Sequence, residues 1–400
     1  MTKFDPSTPV LLLGGKQNAV AVARNLGKKG VPIVASGYSD SRAIYSKYCK
    51  QTFVVPAKAD ATEYWANLLL TDRPAALQNN IVLPCCDESL AFIVANYQAL
   101  SEHYALEELV PEQREMMLDK QATLDAAHSV GVPAPKHWTV QSISDVEKIK
   151  DEIMFPVMVK PIDSYAFVHT FGKKLFIIED SFDEVVEKVA LAHEKNHQVM
   201  VVEMIPGPDR LLNSYYTYRT KDGVKLYDYT KSVIRRWPIN RGGSSMHQSE
   251  WLPKTAEMGQ RLFDGLEWQG IANVEFKTDT RDGQLKIIEV NARFTAAHRL
   301  VTDAGAPIDE IIYCHLTGQP VPTFDTYSSK LRMLNPMRDL IAFLALRKRK
   351  EITTFGWLKS LFEQKFILSY FSLTDPGPML AETRGDLSRV FNKIKGAVAK

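Results

Sequence analysis

Ile287-Ile288-Glu289-Val290-Asn291-Ala292-Arg293-Phe294 sets a polar residue at every second position of an otherwise apolar run. Side chains alternate along a strand, so Glu289, Asn291 and Arg293 share one face. The apolar neighbours suggest that this face is buried, and two oxygen ligands with a guanidinium are costly to bury without a function. A second strand lies upstream, Ala272-Asn273-Val274-Glu275-Phe276-Lys277. Its apolar face carries Ala272, Val274 and Phe276, and its polar face Asn273, Glu275 and Lys277. Between the two, Asp282-Gly283 is a strong hairpin signal. An antiparallel pair then brings Glu275 against Glu289. Two carboxylates that close call for a cation, and with the Asn291 amide oxygen they suit Mg²⁺. The competing reading, a surface hairpin with scattered charges, fits the apolar neighbours poorly.

Four hundred residues allow two or three domains. The apolar content of 45% and charged content of 24% are those of a soluble globular protein. A net charge of +2 gives no reason to expect nucleic acid. Cys49, Cys85, Cys86 and Cys314 have no metal-ligand spacing and read as ordinary thiols. The first nine residues lack a signal-peptide core, and no apolar run reaches the ~20 residues that span a bilayer. A cytoplasmic location is the expectation.

In residues 1–110, Val10-Leu11-Leu12-Leu13 reads as a buried strand that Gly14-Gly15 turns into a helix. Further strands follow at 31–35, 51–56 and 81–84, with helical patterns between. That alternation predicts an open, mostly parallel α/β sheet. The glycine fingerprint of a nicotinamide-binding fold is broken, because Lys16 and Ala19 occupy its second and third glycine positions. Asp87-Glu88 follows the strand at 81–83, where such sheets hold ligands. These acids could grip a substrate amine, or cap the helix that follows them.

The middle of the chain orders several cations and apolar strands. Asp119-Lys120 opens a helix that closes at Gly131. Phe155-Pro156-Val157-Met158-Val159-Lys160-Pro161 is a short strand ending on a lysine, and 163–174 reads as a mobile loop. Such a lysine can clamp phosphate, or simply snorkel. Val199-Met200-Val201-Val202-Glu203-Met204-Ile205-Pro206-Gly207 is an apolar strand running into a turn that could hold a flat adenine ring, with Asp209 placed for ribose or a nearby cation. Lys231, Arg235, Arg236 and Arg241 lead into Gly242-Gly243-Ser244-Ser245, which suits phosphate or carboxylate, or is a basic solvated loop.

Taken in order, the lysine before a helix, the Val-Met-Val-Lys-Pro strand, the Val-Val-Glu-Met-Ile hinge, Asn-Val-Glu-Phe and Ile-Ile-Glu-Val-Asn-Ala-Arg-Phe resemble the ATP-grasp superfamily. The likeness covers about 111–320 and looks nearest to carboxylate–amine ligases related to D-aspartate ligase. It implies a pre-ATP-grasp α/β domain at 1–110, then a two-lobed ATP-grasp module at 111–325. The lobe with the phosphate loop would span about 125–195 and the metal-binding lobe about 196–325. A helical C-terminal extension would fill 326–400. It also implies that Lys120 and Lys160 contact ATP, that Glu203, Met204 and Ile205 frame the adenine, and that Asp209 lies near the ribose. Glu275, Glu289 and Asn291 would hold two Mg²⁺ ions, or Mn²⁺, and Arg293, Lys160 and Arg241 would act on the transferring group. Loop 163–174 departs from the pattern, having Gly172 alone where many members have several glycines.

The implied reaction activates a carboxylate as an acyl phosphate and joins it to an amine, releasing ADP and phosphate. Its partners are small-molecule acids and amines, with no nucleic acid. A carboxylase using bicarbonate and a non-catalytic ATP-binding module are the competing readings. A homodimer is left open. In the tail, the apolar run at 340–346, the basic run 347–350 and the apolar positions of 355–370 suggest a peripheral membrane or protein contact through 340–370, or a cap on the catalytic module.

Overall fold

The computed structural model describes residues 4–162, 164–324 and 326–385. Its first sheet is parallel, in the order β3-β2-β1-β4-β5, from β1 (Val10–Leu13), β2 (Ile33–Gly37), β3 (Cys49–Val54), β4 (Ile81–Pro84) and β5 (Ala105–Leu106). All four residues of β1 are buried, as an apolar run covered on both faces requires. The turn after β1 needs glycine twice. Gly14 and Gly15 have φ of +67° and +79°, and a Cβ on either would come within 2.4 Å of Cys86 or Cys85 at the end of β4.

A small antiparallel sheet follows, ordered β6-β9-β7-β8, from β6 (His137–Val140), β7 (Val157–Pro161), β8 (Phe176–Ile178) and β9 (Val199–Glu203). The stretch expected as a mobile loop between β7 and β8 instead holds a helix, Ser164–Phe171. Asp163 lies outside the described residues. The reason is aromatic spacing: Phe167 and Phe171 sit one turn apart, and each ring centroid lies 5.3 Å from Phe176. Gly172, at φ +63°, ends the helix.

The third sheet has seven strands: β10 (Leu212–Arg219), β11 (Lys225–Trp237), β12 (Gly243–Ser249), β13 (Gly270–Thr278), β14 (Leu285–Asn291), β15 (Arg332–Leu334) and β16 (Phe366–Leu368), ordered β14-β13-β10-β11-β12-β15-β16. One face packs Tyr215, Val274 and Phe276 against Phe263 of helix Pro253–Gly265. The other face carries Tyr216, Tyr218, Tyr227 and Tyr229 into one core with Val10, Leu12, Leu300 and Ile311. The large sheet and the N-terminal sheet are thereby joined, which aims the C-terminal ends of β1 and β4 at the hairpin of β13 and β14.

The tail carries the expected helices, Pro336–Lys348 and Thr354–Phe362, and also adds β15 and β16 to the large sheet. The near-helical apolar spacing therefore stops at Phe362. Beyond it, Phe366 to Leu368 pair with Arg332 to Leu334, and tertiary pairing overrides the pattern. Asp339 ties the tail down. This buried carboxylate accepts bonds from Arg235 Nε (2.8 Å), Arg235 Nη2 (2.9 Å), Ser245 Oγ (2.9 Å) and Trp357 Nε1 (2.9 Å). Residues 386–400 lie outside the described residues.

Candidate active site

The hairpin of β13 and β14 sets Glu275 directly opposite Glu289, and Asn273 opposite Asn291. Asp282-Gly283 makes the turn, with Gly283 at φ +70°. A register shift beside Glu275 leaves Ile288 as the extra residue of β14. The polar face is not buried as the apolar neighbours suggested. Glu289 is exposed, and Glu275, Asn291 and Arg293 are partly so. Ile287, Val290 and Ala292 pack into the core on the other side, so the acids line an open cleft. Asn291 Nδ2 lies 3.5 Å from Glu289 Oε1.

Burial, and then the charge of Glu289, raise the Glu275 carboxyl above its usual range, while Lys231 draws it back. A single cross-strand row explains this: Glu289, Glu275, Ser214, Lys231 and Ser249 are successive partners across β14, β13, β10, β11 and β12. Lys231 is buried and donates from Nζ to Ser214 Oγ at 2.9 Å. Burial pushes its ammonium down, and Glu275 and Glu289 hold it up. His247, buried on β12 opposite Val233, has an unpartnered Nδ1. Burial, Lys231 and Arg338 hold its pKa well below the usual histidine value.

The small sheet supplies Lys160, at the end of β7. Burial lowers its pKa and the charge of Glu289 opposes that, so the two lobes face each other across the cleft. Lys120 stands at the start of helix Lys120–Ser129 and donates to Pro161 O (3.0 Å) and Ile162 O (3.2 Å).

After β9 the chain passes through the hinge. Glu203 is buried, with its Oε2 3.4 Å from Lys136 N and 3.7 Å from Arg281 Nη2. Its Oε1 is buried without a partner. Met204 N donates to Pro156 O at 2.9 Å. Ile205 O accepts from Lys277 Nζ at 2.8 Å, and among the described residues no hydrogen bond engages the Ile205 N–H. Burial pushes the Lys277 ammonium down to about 8. Asp209 meets a cation: its Oδ1 lies 2.8 Å from Arg236 Nε, and its Oδ2 accepts from Asn240 N at 3.1 Å.

Two placements differ from the sequence reading. Arg293 lies past the end of β14 and binds Asp87 of helix Asp87–Ala95, Nε to Oδ1 at 2.6 Å. Asp87 is thus not the helix cap, which is Cys86, and its Oδ1 is taken by Arg293. Arg241 is exposed on the turn between β11 and β12, and no described contact brings it to the acids. Arg236, whose charge lowers the Glu275 pKa, stands in that place instead. In the sequence Lys231 is one of a run of cations, and its part in the acid row comes from the pairing across the sheet. The signal was present: Tyr227, Tyr229, Lys231 and Val233 alternate onto one face of β11. Among the described residues no three His, Cys, Asp or Glu side chains gather as a metal group, so the hairpin offers two carboxylates and an amide.

No family model matches the chain. It is 25% identical over 299 residues to a D-aspartate ligase of Enterococcus faecium (strain Aus0004), covering 71% of this chain and 70% of that protein. It is 26% identical over 191 residues to a D-alanine–D-alanine ligase of Ectopseudomonas mendocina (strain ymp), covering 44% of this chain and 55% of that one. The crystal structure of N5-carboxyaminoimidazole synthetase from Staphylococcus aureus complexed with ADP superimposes with a TM-score of 0.60 at 14% identity, over 82% of each chain.

Proposed function

We propose that this chain, an ATP-grasp protein of the carboxylate–amine ligase superfamily, activates a small-molecule carboxylate with ATP and joins it to an amine at the cleft of Glu275 and Glu289. The opposed acids carry this reading. Two carboxylates held across one strand pair, with the pKa of Glu275 raised by burial and then by Glu289, form a site that a dication relieves. Glu275, Glu289 and Asn291 would hold Mg²⁺, which would neutralise charge on the phosphates of bound nucleotide. Bound Mg·ATP supplies the phosphoryl group that turns the acid into an acyl phosphate, from which the amine displaces phosphate.

The chain's own groups position and neutralise. Lys160, whose side chain makes no hydrogen bond among the described residues, and Lys120 face the phosphates. At the hinge, the orphan Glu203 Oε1 is an acceptor and the Ile205 N–H a donor. Adenine offers the complementary order, a 6-amino donor beside the N1 acceptor, whereas guanine reverses it. Asp209 acts by orienting Arg236 toward the metal hairpin. Lys231, backed by Arg338 and His247, gives the acid substrate a cationic seat at the far side of Glu275. Arg293, fixed by Asp87, presents its guanidinium beside Glu289 to the transferring group.

Mg·ATP should raise the melting temperature, by about 2.7 kcal/mol of stabilisation at a hundredfold excess over Kd. Mg·GTP should not. Equal shifts with both nucleotides would contradict the hinge assignment. A screen for ADP release against acid and amine pairs then identifies the substrates. Release that needs bicarbonate and no other acid would point to a carboxylase.

A further inference from the structure

Helix Thr354–Phe362 contains Phe355, Trp357, Leu358, Leu361 and Phe362, yet none of its residues is buried. Trp357 points inward, stacked on Phe343 with ring centroids 4.3 Å apart. Phe355, Leu358 and Phe362, at helical spacing on one face, are 77%, 43% and 77% exposed. Helix Pro336–Lys348 repeats the arrangement. Its inner side buries Asp339, Ala342 and Phe343, while Met337, Leu340, Ile341 and Leu344 form an outward stripe at i, i+3, i+4 and i+7. The bonds to Asp339 hold both helices with these stripes outward, so the exposure is built into the packing. Apolar surface of this extent calls for a partner.

Charge identifies the partner. Residues 336–371 carry seven Lys and Arg against three Asp and Glu, in a chain whose net charge is +2. Of the three acids, Asp339 is buried under Arg235, Glu351 lies 3.9 Å from Arg349, and Glu363 lies 3.2 Å from Arg332. The exposed run Arg347-Lys348-Arg349-Lys350 continues directly from the apolar stripe. We infer that helices Pro336–Lys348 and Thr354–Phe362 form a docking surface for an anionic lipid bilayer: the apolar stripes enter the headgroup boundary and the basic run pairs with headgroups. A second copy of the chain would bring the same excess of cations, so charge opposes it. Among the described residues no helix is long and apolar enough to cross a membrane, so the contact is peripheral.

The test is flotation of the full chain with vesicles of phosphatidylglycerol and phosphatidylcholine, against phosphatidylcholine alone. At low salt, binding to the anionic vesicles should be at least ~10-fold stronger, and raised salt should weaken it. Phe355→Ser with Phe362→Ser, and separately Lys348→Glu with Lys350→Glu, should each lower binding ~10-fold or more. The melting temperature and its shift with Mg·ATP should stay as in the parent. Absence of flotation, or undiminished flotation of both variants, overturns the inference. So does a concentration-dependent dimer that Phe355→Ser with Phe362→Ser abolishes, in a protein that binds no vesicles, since the stripes would then meet a second copy.

Discussion

Glu289→Gln is expected to lower kcat at least ~10²-fold while leaving the metal-free protein at least as heat-stable as its parent. The change keeps the volume of the side chain and removes one charge from a pair set directly across two strands. Loss of one preorganised electrostatic group at a reacting centre commonly costs that factor. Without metal, the pair is a liability. Burial and Glu289 both raise the Glu275 carboxyl above its usual 4.5. A carboxyl raised in the fold binds its proton more tightly there than in the unfolded chain. Its contribution to stability is therefore present at low pH and lost as pH rises through the folded value. Removing the Glu289 charge shrinks that loss, so apo Glu289→Gln should melt no lower than apo wild type at pH 7.5, with a smaller drop between pH 5 and 7.5. The extra stabilisation given by Mg·ATP should largely vanish. Normal turnover by the variant with its cognate substrates would remove the hairpin from the metal assignment.

Lys231→Met should also cost ~10²-fold or more in turnover, with a different signature. Lys231 is buried, and burial outweighs the two acids in setting its pKa below the usual lysine value. The folded protein thus gains little from the charge, and Met fills the same volume without it. Stability of the apo variant should stay within about 1 kcal/mol of wild type. The deficit should appear as a raised KM for the acid substrate together with a lowered kcat, as expected if, as proposed, Lys231 seats the acid whose charge changes in the reaction. The melting shift with Mg·ATP should persist, unlike that of Glu289→Gln. A Lys231→Met enzyme that turns over normally, or that has lost nucleotide binding, would show that Lys231 serves another end of the cleft.

Much of this geometry was legible in the chain because it rests on local rules. The alternation of Glu289, Asn291 and Arg293, with Asp282-Gly283 upstream, was enough to predict a hairpin with Glu275 against Glu289. Strand–helix alternation and Gly14-Gly15 were enough for the parallel N-terminal sheet. What escaped depended on distant partners. Whether the acid face was buried or open depended on the cleft formed with the small lobe, which no local pattern encodes. The 163–174 stretch reads as mobile because its polar residues hide the spacing of Phe167 and Phe171, and the packing of those rings on Phe176 favours the helix Ser164–Phe171. The short strand Phe366–Leu368 continues a helical apolar rhythm and becomes a strand only by pairing with Arg332–Leu334. Arg241 and Arg236 are equal as cations in sequence. The turn leaves Arg241 in solvent, while Asp209 holds Arg236 within the field of Glu275.

The most direct test of acid activation at the Glu275–Glu289 cleft follows oxygen. Once a productive acid and amine pair is known, the acid is labelled with ¹⁸O in its carboxylate and the inorganic phosphate released with ADP is analysed by mass spectrometry. An acid oxygen that attacks phosphorus becomes the bridge of the acyl phosphate and leaves with phosphate when the amine displaces it. The expected result is one ¹⁸O in each released phosphate, with ADP, phosphate and amide formed in equal amounts. Phosphate free of label in a reaction that releases ADP and forms the amide would contradict acid activation at this cleft.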